Sequence, residues 1–92
     1  MRFANGQAAA GLEQLACHVP GNVRRAHEAI RGAPRSVTSP ERQHRLKGSL
    51  GTGSWKGAEL ERWQYEVTGG GRIWYLVDDV RRTAWITYAG AA

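Results

Sequence analysis

Arginine and tryptophan alternate with apolar residues in the segment GRIWYLVDD, residues 71–79. In an extended strand, residues two apart point to the same face, so Arg72 and Trp74 share one face. The other row, which carries no charge and is the better candidate for core packing, consists of Ile73, Tyr75 and Val77. A guanidinium beside an indole on an uncovered sheet face suits a phosphate and a stacked base. The structural alternative is that Trp74 closes a small apolar cluster while Arg72 pairs with Glu66 across a hairpin.

Motifs for other chemistry are absent from the sequence. The thiol and imidazole groups lack metal-ligand spacing and come from different elements: Cys17, His18, His27 and His44. Adjacent helical residues point about 100° apart, so Cys17 is predicted to be a small buried residue and not a nucleophile assisted by His18. Three glycines, residues 69–71, precede a strand and lack the helix dipole of a phosphate-binding loop. The pair Asp78-Asp79 is predicted to form a turn.

The 92 residues are enough for one domain, spanning residues 1–92. Lys and Arg outnumber Asp and Glu by 13 to 8, with a net charge of +5, and 11 of the 13 basic residues are Arg. This surplus favours polyanionic partners, either nucleic acid or an acidic protein segment, although genome composition explains it equally well.

The beginning of the chain has no apolar core of signal-peptide length, and no segment approaches the length of a membrane span. The single cysteine, Cys17, has no partner for an internal disulfide. A cytoplasmic setting without a membrane is therefore expected.

The C-terminal third predicts a three-stranded antiparallel meander. Trp63, Tyr65 and Val67 alternate, and the three glycines that follow can take the positive φ angles of a tight connection. The next strand runs to Val77, and a polar turn over residues 78–81 leads into a third strand over residues 83–88.

The N-terminal half predicts a helical hairpin. A brief strand over residues 2–4 precedes a helix over residues 7–17, and Pro20-Gly21 ends that helix. Asn22 is the expected N-cap of a second helix over residues 23–31. Residues 43–50 are predicted to be the first strand of the main sheet, and Trp55 is predicted to lie in a glycine-rich loop as a lid on the core or as a stacking contact.

Helices followed by a meander indicate the α+β class, with the helical hairpin on one face of a small antiparallel sheet in the order β-α-α-β-β-β-β. The other face of the sheet is expected to stay open.

The chain resembles the RelE-like branch of the RelE/ParE superfamily of bacterial type II toxins. Three stretches carry the resemblance: HRLKG (residues 44–48), WQYEV (63–67) and above all GRIWYLVDD (71–79). They are similar to that family's L-x-G motif, its next strand and its Y-R-I-x-Y-x-V-D-D strand. Because the order of helices and strands also agrees, the resemblance covers nearly the whole chain.

This resemblance implies a small cytoplasmic toxin that cleaves messenger RNA, commonly at the ribosome, and is silenced by a cognate antitoxin protein. In such endoribonucleases the ribose 2′-hydroxyl attacks the neighbouring phosphate, and neither a metal nor a cofactor takes part. The protein supplies positive charge, a proton acceptor or donor, and a surface on which bases stack.

Matched residue by residue, the resemblance assigns Arg72 to the arginine that contacts the scissile phosphate. His44 and Tyr88 remain as candidates for proton transfer, so these three residues form the predicted catalytic set. The predicted RNA-binding residues are Arg45, Lys47, Arg62, Trp63, Tyr65 and Trp74.

The chain departs from the family pattern in two places. Trp63 and Tyr65 stand where the family often has lysine or arginine, and the usual basic C-terminal segment does not follow Tyr88. These departures motivate an alternative: a catalytically inactive binding module of the same fold, which holds an antitoxin or inhibits a protein target such as DNA gyrase.

Overall fold

The computed structural model describes residues 1–91, which contain two α-helices and six strands. In chain order they are β1 (Arg2–Phe3), α1 (Gly6–His18), α2 (Pro20–Gly32), β2 (Gln43–Arg45), β3 (Thr52–Trp55), β4 (Ala58–Glu66), β5 (Gly71–Asp78) and β6 (Thr83–Ala91). No helix in these residues is both long and apolar enough to cross a membrane.

The strands form one mixed sheet in the order β1-β6-β5-β4-β2, and β3 also pairs with β4. The predicted α+β class and the β4-β5-β6 meander are confirmed. The expectation of a wholly antiparallel sheet was wrong, because β1 runs parallel to β6. The predicted order also lacked one strand, since β3 was assigned to a loop.

The core lies between the helices and one face of the sheet. The uncharged row of β5 is buried there as predicted, with Ile73 and Tyr75 fully enclosed and Val77 nearly so. From the helices, Leu15 and Ile30 belong to the same cluster. Burial of Tyr75 raises the pKa of its hydroxyl to about 12, and this hydroxyl donates a hydrogen bond of 2.7 Å to a loop carbonyl. The buried row thus anchors both helices and the loop after them.

A single residue, Val19, connects the two helices. At the start of α1, the Asn5 side chain caps the helix by accepting a hydrogen bond from the backbone of Ala8. Helix α1 ends at His18, and α2 begins at Pro20, whose fixed φ suits the first helical position. The prediction that Asn22 caps α2 was therefore wrong. The predicted burial of Cys17 was wrong as well, since this residue is exposed.

The strand predicted over residues 43–50 ends early, at Arg45. A 3₁₀ turn, Gly48–Gly51, follows it and leads directly into β3. Both β2 and β3 then pair with the same edge of β4. The sequence pattern missed this because a short strand interrupted by a glycine-containing turn shows no sustained alternation.

The β3–β4 hairpin closes with a two-residue turn. Lys56 and Gly57 have φ angles of 48° and 83°, the positive values that a type I′ turn requires, and Trp55 pairs with Ala58 on either side of it. The glycines of residues 69–71, which can take positive φ without strain, do not adopt it. That connection is stabilised by Thr68, whose hydroxyl accepts a hydrogen bond of 2.9 Å from Gly71 N.

Candidate nucleic-acid interface

A row of polar and aromatic side chains crosses four strands on the sheet face opposite the helices, here called the open face. The register places His44 opposite Gln64, Gln64 opposite Trp74, and Trp74 opposite Tyr88. Because directly opposed residues of neighbouring strands share a face, these four side chains form one cross-strand row. His44 and Tyr88 lie at its two ends.

Trp74 occupies the centre of this row, and three contacts hold its ring. Its indole N–H donates a hydrogen bond of 2.9 Å to Oε1 of Gln64. Its ring centroid lies 5.7 Å from that of Tyr88, with a tilt of 57° between the planes. The guanidinium carbon of Arg62 lies 6.0 Å from the ring centroid, at the limit of a cation–π contact. The half-buried indole is thus oriented by its neighbours before any ligand arrives.

Arg72 lies one row closer to the end of the sheet, opposite Glu66 on β4 and Gly90 on β6. The register agrees with the alternative in which Arg72 faces Glu66, yet none of the three ion pairs found in residues 1–91 includes Arg72. Gly90 presents no side chain, and a Cβ added there would lie 3.2 Å from the Tyr88 hydroxyl oxygen. The Tyr88 hydroxyl therefore lies over the position directly across from Arg72.

A second aromatic pair extends the open face toward the other end of the sheet. The rings of Trp55 and Trp85 lie 4.8 Å apart, with planes tilted by 35°. The Trp85 indole N–H donates a hydrogen bond of 3.0 Å to Asp78, and this bond is the main cause that lowers the pKa of that carboxyl. The expectation that Trp55 covers the core from a loop was wrong, because it lies in β3 and stacks on Trp85. The sequence signal for this placement is the Lys56-Gly57 turn that directly follows Trp55.

Four of the predicted RNA-binding residues lie away from this face. Trp63 and Tyr65 point toward the helices and are only 7% and 8% exposed, so neither offers a free ring for stacking. Arg45 lies on the same side as Trp63 and donates hydrogen bonds to Gly51 O and a neighbouring threonine. Lys47 is exposed beyond the end of β2. The open face thus unites the other five predicted residues: His44, Arg62, Arg72, Trp74 and Tyr88.

The separation of these five residues limits what they can do together. His44 and Tyr88 are three strand intervals apart, which corresponds to about 14 Å between their backbones. His44 and Tyr88 therefore do not contact the same phosphate group. By contrast, Arg72 and Gly90 are directly opposed, about 5 Å apart, and the Tyr88 hydroxyl lies over Gly90. The register thus places Arg72 across from the position that the Tyr88 phenol covers, and Trp74 lies two residues further along the same strand face.

Residues 1–91 contain no group of three His, Cys, Asp or Glu side chains arranged to hold a metal ion. In the comparisons with known proteins, no family model, no curated protein and no solved structure matches the chain.

Proposed function

We propose that the open face binds single-stranded RNA and that the protein is a RelE-like, metal-independent endoribonuclease, the toxin of a type II toxin–antitoxin pair. One observation carries the proposal: Arg72, which makes no ion pair with residues 1–91, lies beside the ordered indole of Trp74 and across from the position covered by the Tyr88 hydroxyl. The RelE-like arrangement of the fold is part of this proposal.

Each of the three groups has a chemical task in the cleavage. When the ribose 2′-hydroxyl attacks the adjacent phosphorus, negative charge develops on the non-bridging oxygens, and the Arg72 guanidinium stabilises it. The P–O5′ bond breaks as the P–O2′ bond forms, and the Tyr88 hydroxyl donates a proton to the leaving 5′-oxygen. Water accepts the proton of the attacking 2′-hydroxyl, so the products are a 2′,3′-cyclic phosphate end and a 5′-hydroxyl end. The Trp74 ring stacks on a base next to the scissile bond and holds the attacking hydroxyl in line.

Other residues of the open face contact the RNA further along the strand. Arg62 adds positive charge beside Trp74, and His44, about 14 Å from Tyr88, meets a neighbouring nucleotide and takes no part in the proton transfer. In this proposal the substrate is messenger RNA at the ribosome in the cytoplasm. A cognate antitoxin protein silences the toxin by covering the same face.

Cleavage of a purified RNA tests the proposal directly. The chain is incubated in EDTA with a messenger RNA fragment, and with a matched fragment that carries 2′-deoxyribose at the mapped cleavage position. We expect a 2′,3′-cyclic phosphate end from the first RNA only. Arg72→Ala should abolish the product, whereas Arg24→Ala, which removes the same charge from an exposed helix position, should not. Intact RNA at high protein concentration, both with and without added ribosomes, refutes the proposal.

The second candidate function is a non-enzymatic binding module of the same fold, which holds an antitoxin or inhibits a protein such as DNA gyrase. The observation that favours it is the distance between His44 and Tyr88, which leaves one phosphate with a single group for proton transfer. This module would bind RNA or protein through the open face without new RNA ends. Growth arrest on expression, with transcripts intact by primer extension, would support it over the nuclease.

A further inference from the structure

A polar cleft lies on the helix-covered side of the molecule, between α2 and the ends of β2 and β4. It has a volume of about 320 Å³, and its lining consists of Asn22, Arg25, Arg42, Tyr65 and Val67. The residues of the open face that carry the proposed function do not line it. The cleft is therefore a separate feature of the fold.

Two guanidinium groups in this cleft are held in place by neutral oxygen atoms. Arg25 donates a hydrogen bond of 2.7 Å to Oδ1 of Asn22, whose amide in turn donates one of 3.1 Å to the Val67 carbonyl. Arg42 donates a hydrogen bond of 3.1 Å to the Glu66 carbonyl. Each arginine is thus oriented by the backbone at the end of β4, directly or through one amide.

Neither of these two positive charges is neutralised within the described chain. The ion pairs of residues 1–91 involve other arginines, and no carboxylate oxygen of these residues lies within 4.0 Å of Arg25 or Arg42. A hydrogen bond to an amide or carbonyl oxygen leaves the guanidinium charge and most of its five N–H donors available. The cleft therefore combines pre-oriented donors with an uncompensated charge, which is what an anion requires.

The Tyr65 hydroxyl adds a third donor. The residue is 92% buried by its packing under α2, since it is only 8% exposed, and it reaches the cleft. Its hydroxyl makes no hydrogen bond with residues 1–91. The ring is buried, but the hydroxyl is not one of the buried polar atoms that lack a partner, so it is accessible from the cleft. It can donate a hydrogen bond to an anion bound there.

We infer that this cleft is a binding site for a phosphate group, held by bidentate contacts from Arg25 and Arg42 and by a hydrogen bond from the Tyr65 hydroxyl. The tetrahedral oxygens of phosphate match several convergent donors, and the fork of a guanidinium binds two of them at once. The phosphate comes either from free inorganic phosphate or from a nucleic-acid backbone, and the chemistry of the site is the same for both.

Calorimetric titration of the full chain with inorganic phosphate, at constant ionic strength against chloride, tests the inference. We expect saturable one-to-one binding. Arg25→Gln and Arg42→Gln should each raise the Kd about tenfold or more, because each removes a charge-assisted contact. Arg24→Gln is the matched control, since it removes the same charge from the neighbouring exposed position of α2, and it should leave the Kd nearly unchanged.

Tyr65→Phe keeps the buried ring and removes only the hydroxyl, so it tests the third donor without disturbing the core. It should weaken phosphate binding while the thermal unfolding midpoint stays close to that of the parent. Absence of saturation at about 10 mM phosphate, or an equal loss in Arg24→Gln and Arg25→Gln, overturns the inference.

A second titration with a short single-stranded RNA identifies the source of the phosphate. If backbone phosphates enter the cleft, Arg25→Gln weakens RNA binding more than Arg24→Gln does. If free phosphate is the ligand, these two variants bind RNA equally well, although only one retains phosphate affinity. Trp74→Ala should leave phosphate affinity unchanged, so failure of the proposed RNA function and failure of this site are distinguishable.

Discussion

Replacing Trp74 by alanine should weaken the binding of single-stranded RNA without unfolding the protein. The indole is half-buried on the open face, at the centre of a row that runs from His44 to Tyr88. Stacking of one base on one aromatic ring contributes about 1–3 kcal/mol, which corresponds to a Kd increase of about 5- to 150-fold. The upper part of this range is expected, because the substitution also removes the ring that Arg62 approaches at 6.0 Å.

Fluorescence anisotropy with a labelled RNA of about 10 nucleotides measures this effect; a strand of that length is within the range of known single-strand sites. The matched control is Trp63→Phe, which alters a tryptophan of the adjacent strand that faces the helices and is only 7% exposed. It should lower the free energy of unfolding but leave the RNA affinity intact. Trp74→Phe should retain most of the affinity, because a phenyl ring still stacks.

Two results would refute the reasoning. If Trp74→Ala binds RNA as tightly as the parent, the open face is not the stacking surface. If Trp63→Phe loses as much RNA affinity as Trp74→Ala while remaining folded, the location of Trp74 on the open face does not explain RNA binding.

Three further predictions concern charge, packing and pH. Arg72→Ala should lower the slope of log K against log salt for RNA by about 0.7, the value for one phosphate contact on a single strand, and an unchanged slope would exclude that contact. Gly11→Ala should destabilise the fold by about 1–3 kcal/mol in urea unfolding, because an added Cβ collides with the Ala89 carbonyl; equal stability would contradict this close approach of helix and strand. The hydrogen bond from Trp85 lowers the pKa of Asp78 below its ordinary 3.8, so the stability it contributes is complete above that value and is lost as pH falls through the folded-state pKa. Asp78→Asn should therefore be less stable than the parent at pH 6 and should approach it at lower pH, and a constant difference between the two from pH 6 to pH 2 would argue against this linkage.

The sequence was sufficient for the elements whose pattern is local. Alternation in β5 correctly separated the buried row of Ile73 from Arg72 and Trp74. The third residue predicted for the open row, Leu76, is only 1% exposed, so that row is not open along its whole length. The two helices were also correct in kind, although Pro20 and not Asn22 marks the start of the second helix. Capping propensity alone did not reveal that the Asn22 amide donates to the Val67 carbonyl, which lies just after β4.

The candidate site was only partly predictable from the sequence. Arg72 and Trp74 share a face by simple alternation, but the side toward which Trp63 and Tyr65 point depends on the register between β4 and β5. The alternation of apolar and polar residues in WQYEV indicated that both rings share one face, whereas the family resemblance assigned that face to RNA. The structure shows that it is the face covered by the helices. Trp55 was missed because the positive φ of the Lys56 turn is an uncommon conformation for a residue other than glycine.

By itself, the sequence determined the α+β class, the meander and the arginine–tryptophan row, since these depend on periods of two and 3.6 residues along a single segment. Only the tertiary structure decided which side chains meet across strands. The Tyr88 hydroxyl lies over Gly90, which pairs with Arg72 across β5 and β6, and the cleft of Arg25 and Arg42 joins a helix to a residue 17 positions later in the chain. Such contacts depend on strand order and register, which arise from the packing of the whole core and not from any one segment.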